Sequence, residues 1–140
     1  MNKVPLCEKC YKVNKGTATC IGLAAAKLMK KDNDAIMMVF PSDHYVEDEK
    51  AFVDILKQAV NTVNKKRGLI TIGITPTRPE TGYGYIQMGE KVINIEGTYK
   101  VERFVEKPNV EVAKDFLLAG NYLWNSGMFV WRADALLTIV

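Results

Sequence analysis

Two hydrophobic periods alternate along this chain, one helical and one extended. The stretch from Thr17 to Lys31 is rich in Ala, Leu and Ile and ends in lysines. It predicts a buried helix with Thr17 near its N-terminus. Ala35 to Phe40 is a continuous apolar run closed by Pro41, the length of a strand buried on both faces, as in a parallel sheet. From Asp48 to Lys66, the residues Phe52, Ile55, Leu56, Ala59, Val60 and Val63 fall on one helical stripe, and Gly68 follows as a candidate C-terminal cap. Leu69 to Ile74 is a second short β-rich run. Helix, strand, helix, strand implies crossover connections and a mainly parallel sheet.

The second half changes character. Tyr83 to Met88 and Lys91 to Ile95 flank a Gly-containing turn and predict a hairpin, and Tyr99 to Val105 alternates as a further strand. Asn109 to Ala119 reads as a helix ended by Gly120, Met128 to Trp131 as a last buried strand, and Ala133 to Val140 as the start of a helix without a cap. There are no repeats and no low-complexity linkers, so the 140 residues are read as a single domain.

Composition narrows the class. A hydrophobic fraction of 48% with 25% charged residues is that of an ordinary globular domain. The net charge of +3 is too small to imply nucleic acid. Lys27, Lys30 and Lys31, and then Lys65, Lys66 and Arg67, sit where helices end and complement their dipoles. No apolar run approaches the roughly 18 to 20 residues that span a bilayer, and Met1 to Lys9 have no signal-peptide core, so no membrane partner and a cytoplasmic location are expected. Three cysteines fit a reducing compartment. Cys7 and Cys10 form a CxxC with no second half at zinc spacing, and Cys20 lies in an apolar helical pattern as a small core residue.

Four segments carry candidate chemistry. Asp43, in Phe40-Pro-Ser-Asp-His44, follows a buried strand by three positions. In open α/β sheets ligands bind beyond the carboxyl ends of strands, and a carboxylate there can hold Mg²⁺ against phosphate oxygens; it can equally be a helix cap or a loop acid. His44, the one histidine, is given no catalytic role. In Glu80-Thr-Gly-Tyr-Gly-Tyr-Ile86, two glycines around a tyrosine permit close backbone approach to a ligand, or simply a tight turn into a strand. In Val101-Glu-Arg-Phe-Val-Glu-Lys-Pro108, Glu106 and Lys107 fall at a strand's carboxyl edge. A Glu can accept hydrogen bonds from sugar hydroxyls and a Lys can pair with phosphate; a surface ion pair would look the same. In Tyr122-Leu-Trp-Asn-Ser-Gly-Met-Phe-Val-Trp131, Asn125 and Ser126 can read ligand hydroxyls or form an Asx-type turn.

In this order, Pro41-Ser-Asp-His44, Glu80 to Ile86, Phe104 to Pro108 and Asn125 to Trp131 resemble the motifs of the mannose-1-phosphate guanylyltransferase (GDP-mannose pyrophosphorylase) family of sugar nucleotidyltransferases. Thr17 to Ala25 resembles that family's nucleotide-side helix, and the likeness covers nearly all of Gly16 to Val140. It implies a Rossmann-like three-layer α/β/α fold with a mixed, mainly parallel sheet and an inserted antiparallel portion. It implies transfer of a guanylyl group from GTP to mannose 1-phosphate, giving GDP-mannose and pyrophosphate, with Mg²⁺ as cofactor. By the same resemblance Asp43 ligates Mg²⁺ and, with Lys107, is catalytic. Tyr83, Gly84 and Tyr85 face the sugar, Glu106 binds its hydroxyls, Lys107 its phosphate, and Asn125 the sugar. Gly16 and Thr17 lie near the base.

The departures from the family pattern lie at the ends. Met1 to Lys15 match poorly, Gly16 stands where the family has Asn, and Thr19 where it has Pro. The family's Gly-rich triphosphate loop has no counterpart, and its second metal-binding Asp falls beyond Val140. The expectation is an incomplete catalytic domain, truncated at both ends, that turns over negligibly and self-associates through exposed apolar faces. Two alternatives accompany it: a non-catalytic, sugar-nucleotide-binding regulatory module of the same fold, and a glucose-1-phosphate nucleotidyltransferase.

Overall fold

A computed structural model of the chain describes residues 16–66 and 68–137. Cys7 and Cys10 lie outside the described residues. The elements are α1 (Gly16–Met29), β1 (Ile36–Val39), α2 (Glu49–Lys66), β2 (Ile70–Ile74), β3 (Tyr85–Lys91), β4 (Tyr99–Val105), α3 (Val110–Ala119), β5 (Tyr122–Arg132) and α4 (Ala133–Leu137). The fold class is α/β, as the element pattern implies.

The helices begin and end where local chemistry dictates. Asp48 caps α2: its carboxylate accepts the Ala51 N–H at 2.9 Å, and its carbonyl accepts the Phe52 N–H. Asn109 caps α3 by accepting the Val112 N–H at 3.0 Å, and Gly120 ends that helix at φ 71°. Lys65 and Lys66 occupy the last turn of α2, consistent with the dipole reading of that cluster.

The sheet is organised around β5. Strands β1 and β2 both lie opposite Phe129 and Val130, so they occupy its two edges. Strands β2 and β3 both lie opposite Trp124, so β3 follows β1 along the edge away from β2. Strand β4 pairs with the outer side of β3. Every pairing among the described residues is antiparallel. This corrects the expected mainly parallel pairing. The crossover reading gets the direction of β1 and β2 right, because both run opposite to β5 and hence parallel to each other. It fails on adjacency, because β5 is inserted between them.

Two further boundaries differ. Met128 to Trp131 is only the end of β5, an eleven-residue strand from Tyr122 to Arg132. The hairpin expected around Gly89 lies further on. Strand β3 runs through Gly89 to Lys91, with register shifts near Met88, and turns between Val92 and Thr98, where Asn94 and Gly97 both adopt φ 65°. The two left-handed residues, and not the strand glycine, make the turn.

Helices cover both faces. Successive residues of β5 point to opposite sides. Trp131 packs with Ala25, Met37, Ala133 and Leu136 under α1 and α4, whereas its neighbour Val130 packs with Ala59 and Val63 of α2. A third cluster joins Ala113 and Phe116 of α3 to Tyr85, Tyr122 and Trp124. Arg132 ties the strand end to its surroundings, bonding Asp34 at 2.7 Å and Asp134 at 3.0 Å. No helix among the described residues is long and apolar enough to cross a membrane.

Candidate sugar-phosphate site

The four motifs meet at one end of the sheet, around an irregularity in β5. Between Ile72 and Gly73 the register with β2 jumps from Met128 to Asn125, leaving Ser126 and Gly127 without partners on β2. At this bulge Asn125 donates its backbone N–H to the carbonyl of Gly84 at 2.8 Å. A Cβ on Gly84 would lie 3.0 Å from Glu106 Oε2 and 3.6 Å from Asn125 Cβ. Gly84, Glu106 and Asn125 therefore line one recess that a side chain on Gly84 would fill. Gly127 adopts φ +71°, and a Cβ there would come within 3.3 Å of Pro41 Cγ. The Pro41-Ser-Asp-His44 loop thus sits directly on the bulge.

The polar groups have distinct tasks. Asn125 Oδ1 accepts the Gly127 N–H at 3.2 Å. That bond fixes the orientation of the amide, because only oxygen can accept. It also makes the Asx-type turn that the sequence left open. Asn125 Nδ2 has no hydrogen-bond partner among the described residues and is left as a donor. Lys107 holds the left-handed φ of 39°, and its ammonium pairs with Glu106 Oε1 at 3.5 Å. Both side chains are largely exposed, so the pair is weak and easily exchanged for a ligand. Asp43 and His44 are exposed, and among the described residues neither makes a hydrogen bond or ion pair.

The loop from Thr75 to Gly84 is organised around Trp124, Arg78 and Glu80, to none of which the sequence alone assigned a role. Trp124 faces Ile74 on one side and Tyr85 on the other, so both ends of the loop flank it. Arg78 lies over its ring at 5.4 Å, and Tyr83 meets it edge-on at 5.3 Å. Glu80 Oε1 accepts the N–H groups of Thr81 and Gly82 at 3.0 Å, and Oε2 takes Arg78 at 3.1 Å. The only signal for this in the sequence was the Arg-Pro-Glu spacing, too common to be read alone.

Tyr85 does not join the recess. It is fully buried, its ring 5.2 Å from Phe116, with its hydroxyl donating to the Glu80 carbonyl at 2.8 Å. Strand alternation explains this: Gly84 and Tyr85 are adjacent and face opposite sides. Tyr83, half-exposed against Trp124, lies nearer the loop surface. Gly16 and Thr17 begin α1, and no hydrogen bond or ion pair among the described residues joins them to the recess. The short connection from Met29 to Ile36 makes α1 antiparallel to β1, which directs its N-terminus towards the end of the sheet where β1 finishes.

The hydrogen bond from Gly82, then the Arg78 side chain, hold the Glu80 carboxyl below its ordinary value of 4.5. These contacts favour the ionised form, so their contribution is complete above pH 4.5 and is lost as pH falls through the lower folded-state value. Acidification is expected to release the loop from Trp124. In a Trp131→Phe background, which leaves Trp124 as the single indole, fluorescence should show a reversible acid step that Glu80→Gln removes. An unchanged step in Glu80→Gln would assign the transition to other carboxylates.

With this geometry in place, comparison with known proteins becomes informative. The sequence matches the Nucleotidyl transferase family over residues 4–138, and the chain belongs to that family. The match takes in most of the first fifteen residues. Among curated relatives, the chain is 44% identical over 124 residues to the alginate biosynthesis protein AlgA of Pseudomonas syringae pv. tomato, across 88% of this chain and 25% of that protein. It is 43% identical over 126 residues to the mannose-1-phosphate guanylyltransferase of Salmonella montevideo, across 87% of this chain and 26% of that one. The chain thus spans about a quarter of the length of these relatives. Among solved structures, a Thermus thermophilus protein described as a mannose-1-phosphate geranyltransferase superposes with TM-score 0.81 at 32% identity, over 90% of this chain and 36% of that one. A Helicobacter pylori protein described as a mannose-6-phosphate isomerase gives TM-score 0.75 at 33% identity, over 90% and 45%.

Proposed function

We propose that this chain forms the sugar-phosphate side of a site that transfers a guanylyl group from GTP to mannose 1-phosphate, giving GDP-mannose and pyrophosphate. The observation that carries the reading is the recess itself. Asn125, whose Nδ2 is left as a donor, and the Glu106 carboxylate, an acceptor, flank the bare backbone of Gly84, and Glu106 pairs with a cation, Lys107. Paired donor and acceptor groups suit vicinal hydroxyls, and the adjacent ammonium suits a monoester phosphate. The names of the relatives in Salmonella montevideo and Vibrio cholerae support the same chemistry.

In this reading the phosphate oxygen of mannose 1-phosphate attacks the α-phosphorus of GTP, and pyrophosphate leaves in line. Catalysis of this kind is mainly positioning and charge stabilisation. Glu106 and Asn125 orient the sugar. Lys107 exchanges its weak pairing with Glu106 for the phosphate and lessens the repulsion between two anions. Asp43 would hold Mg²⁺. An exposed carboxylate with no protein partner among the described residues suits an ion that takes few protein ligands and several phosphate and water oxygens. Bound there, Mg²⁺ would neutralise charge on the phosphates.

Isothermal titration tests this. Mannose 1-phosphate should bind saturably, and Lys107→Ala should weaken it about tenfold, the loss of one charge-assisted contact of about 1.5 kcal/mol. Affinity indifferent to both Lys107→Ala and Asn125→Ala would remove the recess from the reading.

A further inference from the structure

Ser126 stands inside the bulge and is turned away from the recess. It is 7% exposed. Its hydroxyl donates to the carbonyl of Ile72 on β2 and accepts the N–H of Met128 at 3.1 Å. Both partners are the backbone groups of the last register pair before the jump, Ile72 opposite Met128. A bulge of two residues frees backbone donors and acceptors that must be satisfied if they are buried. Here one side chain closes the gap. The residues on either side of it lie at the ligand region: Asn125 through its bonds to Gly84 and Gly127, and Gly127 because Pro41 occupies the space where a Cβ would be.

From this arrangement we infer that Ser126 is a positioning residue: its hydroxyl sets the shape of the β5 bulge and so fixes Asn125 relative to Gly84 and the Pro41 loop relative to both. The bulge is a rigid hinge point between two halves of the recess. One half, Gly84 with Glu106, comes from the β3–β4 hairpin. The other, the loop bearing Asp43, comes from β1. Asn125 and Gly127 touch one half each, and Ser126 between them locks their spacing to β2. The consequence for a bound ligand rests on the proposed sugar-phosphate reading; the consequence for the bulge does not.

The test therefore uses two readouts on the 140-residue chain. Amide hydrogen exchange by NMR reports the bulge without ligand. Ser126→Ala should accelerate exchange at Asn125 and Gly127 about tenfold more than at Val130, which is fully buried in the same strand. Ser126→Thr, which keeps the hydroxyl, should restore the original contrast. If alanine prevents folding, Ser126→Cys keeps the shape with a weaker donor and should give the same contrast at smaller amplitude. Equal acceleration at all three amides would mean that Ser126 merely stabilises the sheet, and would overturn the inference. The second readout is the Kd for mannose 1-phosphate. It should rise about fivefold in Ser126→Ala, and not rise further when Ser126→Ala is added to Asn125→Ala. Absence of any mannose 1-phosphate binding by the unsubstituted chain would sink the functional proposal, while the exchange pattern would still decide the role of Ser126.

Discussion

Gly84→Val should abolish measurable mannose 1-phosphate binding while leaving the fold in place. The added Cβ would meet Glu106 Oε2 at 3.0 Å and Asn125 Cβ at 3.6 Å, with the Val105 carbonyl at 3.7 Å. Of these, only the Glu106 oxygen is crowded, and it belongs to the end of an exposed side chain that can swing away at little cost. The γ-methyl groups would then occupy the space between the acceptor and the donor that are proposed to hold the sugar. A ligand forced out of that space loses contacts with both, about 2 to 3 kcal/mol, or on the order of a hundredfold in affinity. The unfolding midpoint should move little, because the backbone bond from Asn125 N–H to the Gly84 carbonyl needs no side chain. Titration with mannose 1-phosphate alongside urea unfolding separates the two effects. Full affinity in Gly84→Val would place the sugar elsewhere.

How much of this was legible in the sequence depends on the range of the interaction. Local signals were read well. Asn109 and Gly120 bound α3, and the stripe from Phe52 to Val63 belongs to α2, because caps and helical periodicity are set within a few residues. The strands were found, but not their partners. A run such as Ala35 to Phe40 announces a strand without showing what lies beside it, and it overstates the burial: Met37 is buried, but Met38 and Phe40 are exposed. Here the neighbour is β5, some ninety positions away in sequence. That also explains why alternation of helix and strand suggested parallel neighbours, whereas an antiparallel insertion was expected only from the resemblance and without its place between β1 and β2.

The site was legible as four motifs but not as a geometry. Asn125 was singled out as a small polar residue before a strand, with two possible roles; the structure shows the turn, with Oδ1 accepting the Gly127 N–H. Tyr83 and Tyr85 look equivalent in sequence. The start of β3 separates them: Tyr83 is still in the loop and meets Trp124, whereas Tyr85 is the first strand residue and enters the core against Phe116. The residues that arrange the site, Ser126, Trp124, Arg78 and Glu80, make contacts that depend on the β5 bulge or on the path of the loop. Neither can be inferred from spacing alone.

Strand β5 also carries the prediction with the largest effect on stability. Trp131→Ala should destabilise the chain by about 3 to 5 kcal/mol, a large share of the roughly 5 to 15 kcal/mol typical of a domain. The ring is 5% exposed and packs with Ala25, Met37, Ala133 and Leu136, lying 5.3 Å from Phe129. It is the largest side chain in that cluster, and its neighbours are small or held in helices or in the paired strand β1, so the cavity cannot readily collapse. Trp131→Phe should behave very differently. The indole N–H of Trp131 is buried without a hydrogen-bond partner among the described residues, and phenylalanine removes that donor along with some ring area. Losing an unsatisfied polar group offsets part of the lost packing, so the net cost should stay under about 1.5 kcal/mol. Urea unfolding monitored by circular dichroism distinguishes the pair. Equal destabilisation by both substitutions would show that the N–H is satisfied and the ring's full shape is required. Because Trp131 and Asn125 lie on one strand, with β1 and the Pro41 loop attached to it, Trp131→Ala should also weaken mannose 1-phosphate binding. Trp131→Phe should not. Loss of affinity in Trp131→Ala under conditions where the chain remains fully folded would then show that the position of β1 on β5 sets the geometry of the recess.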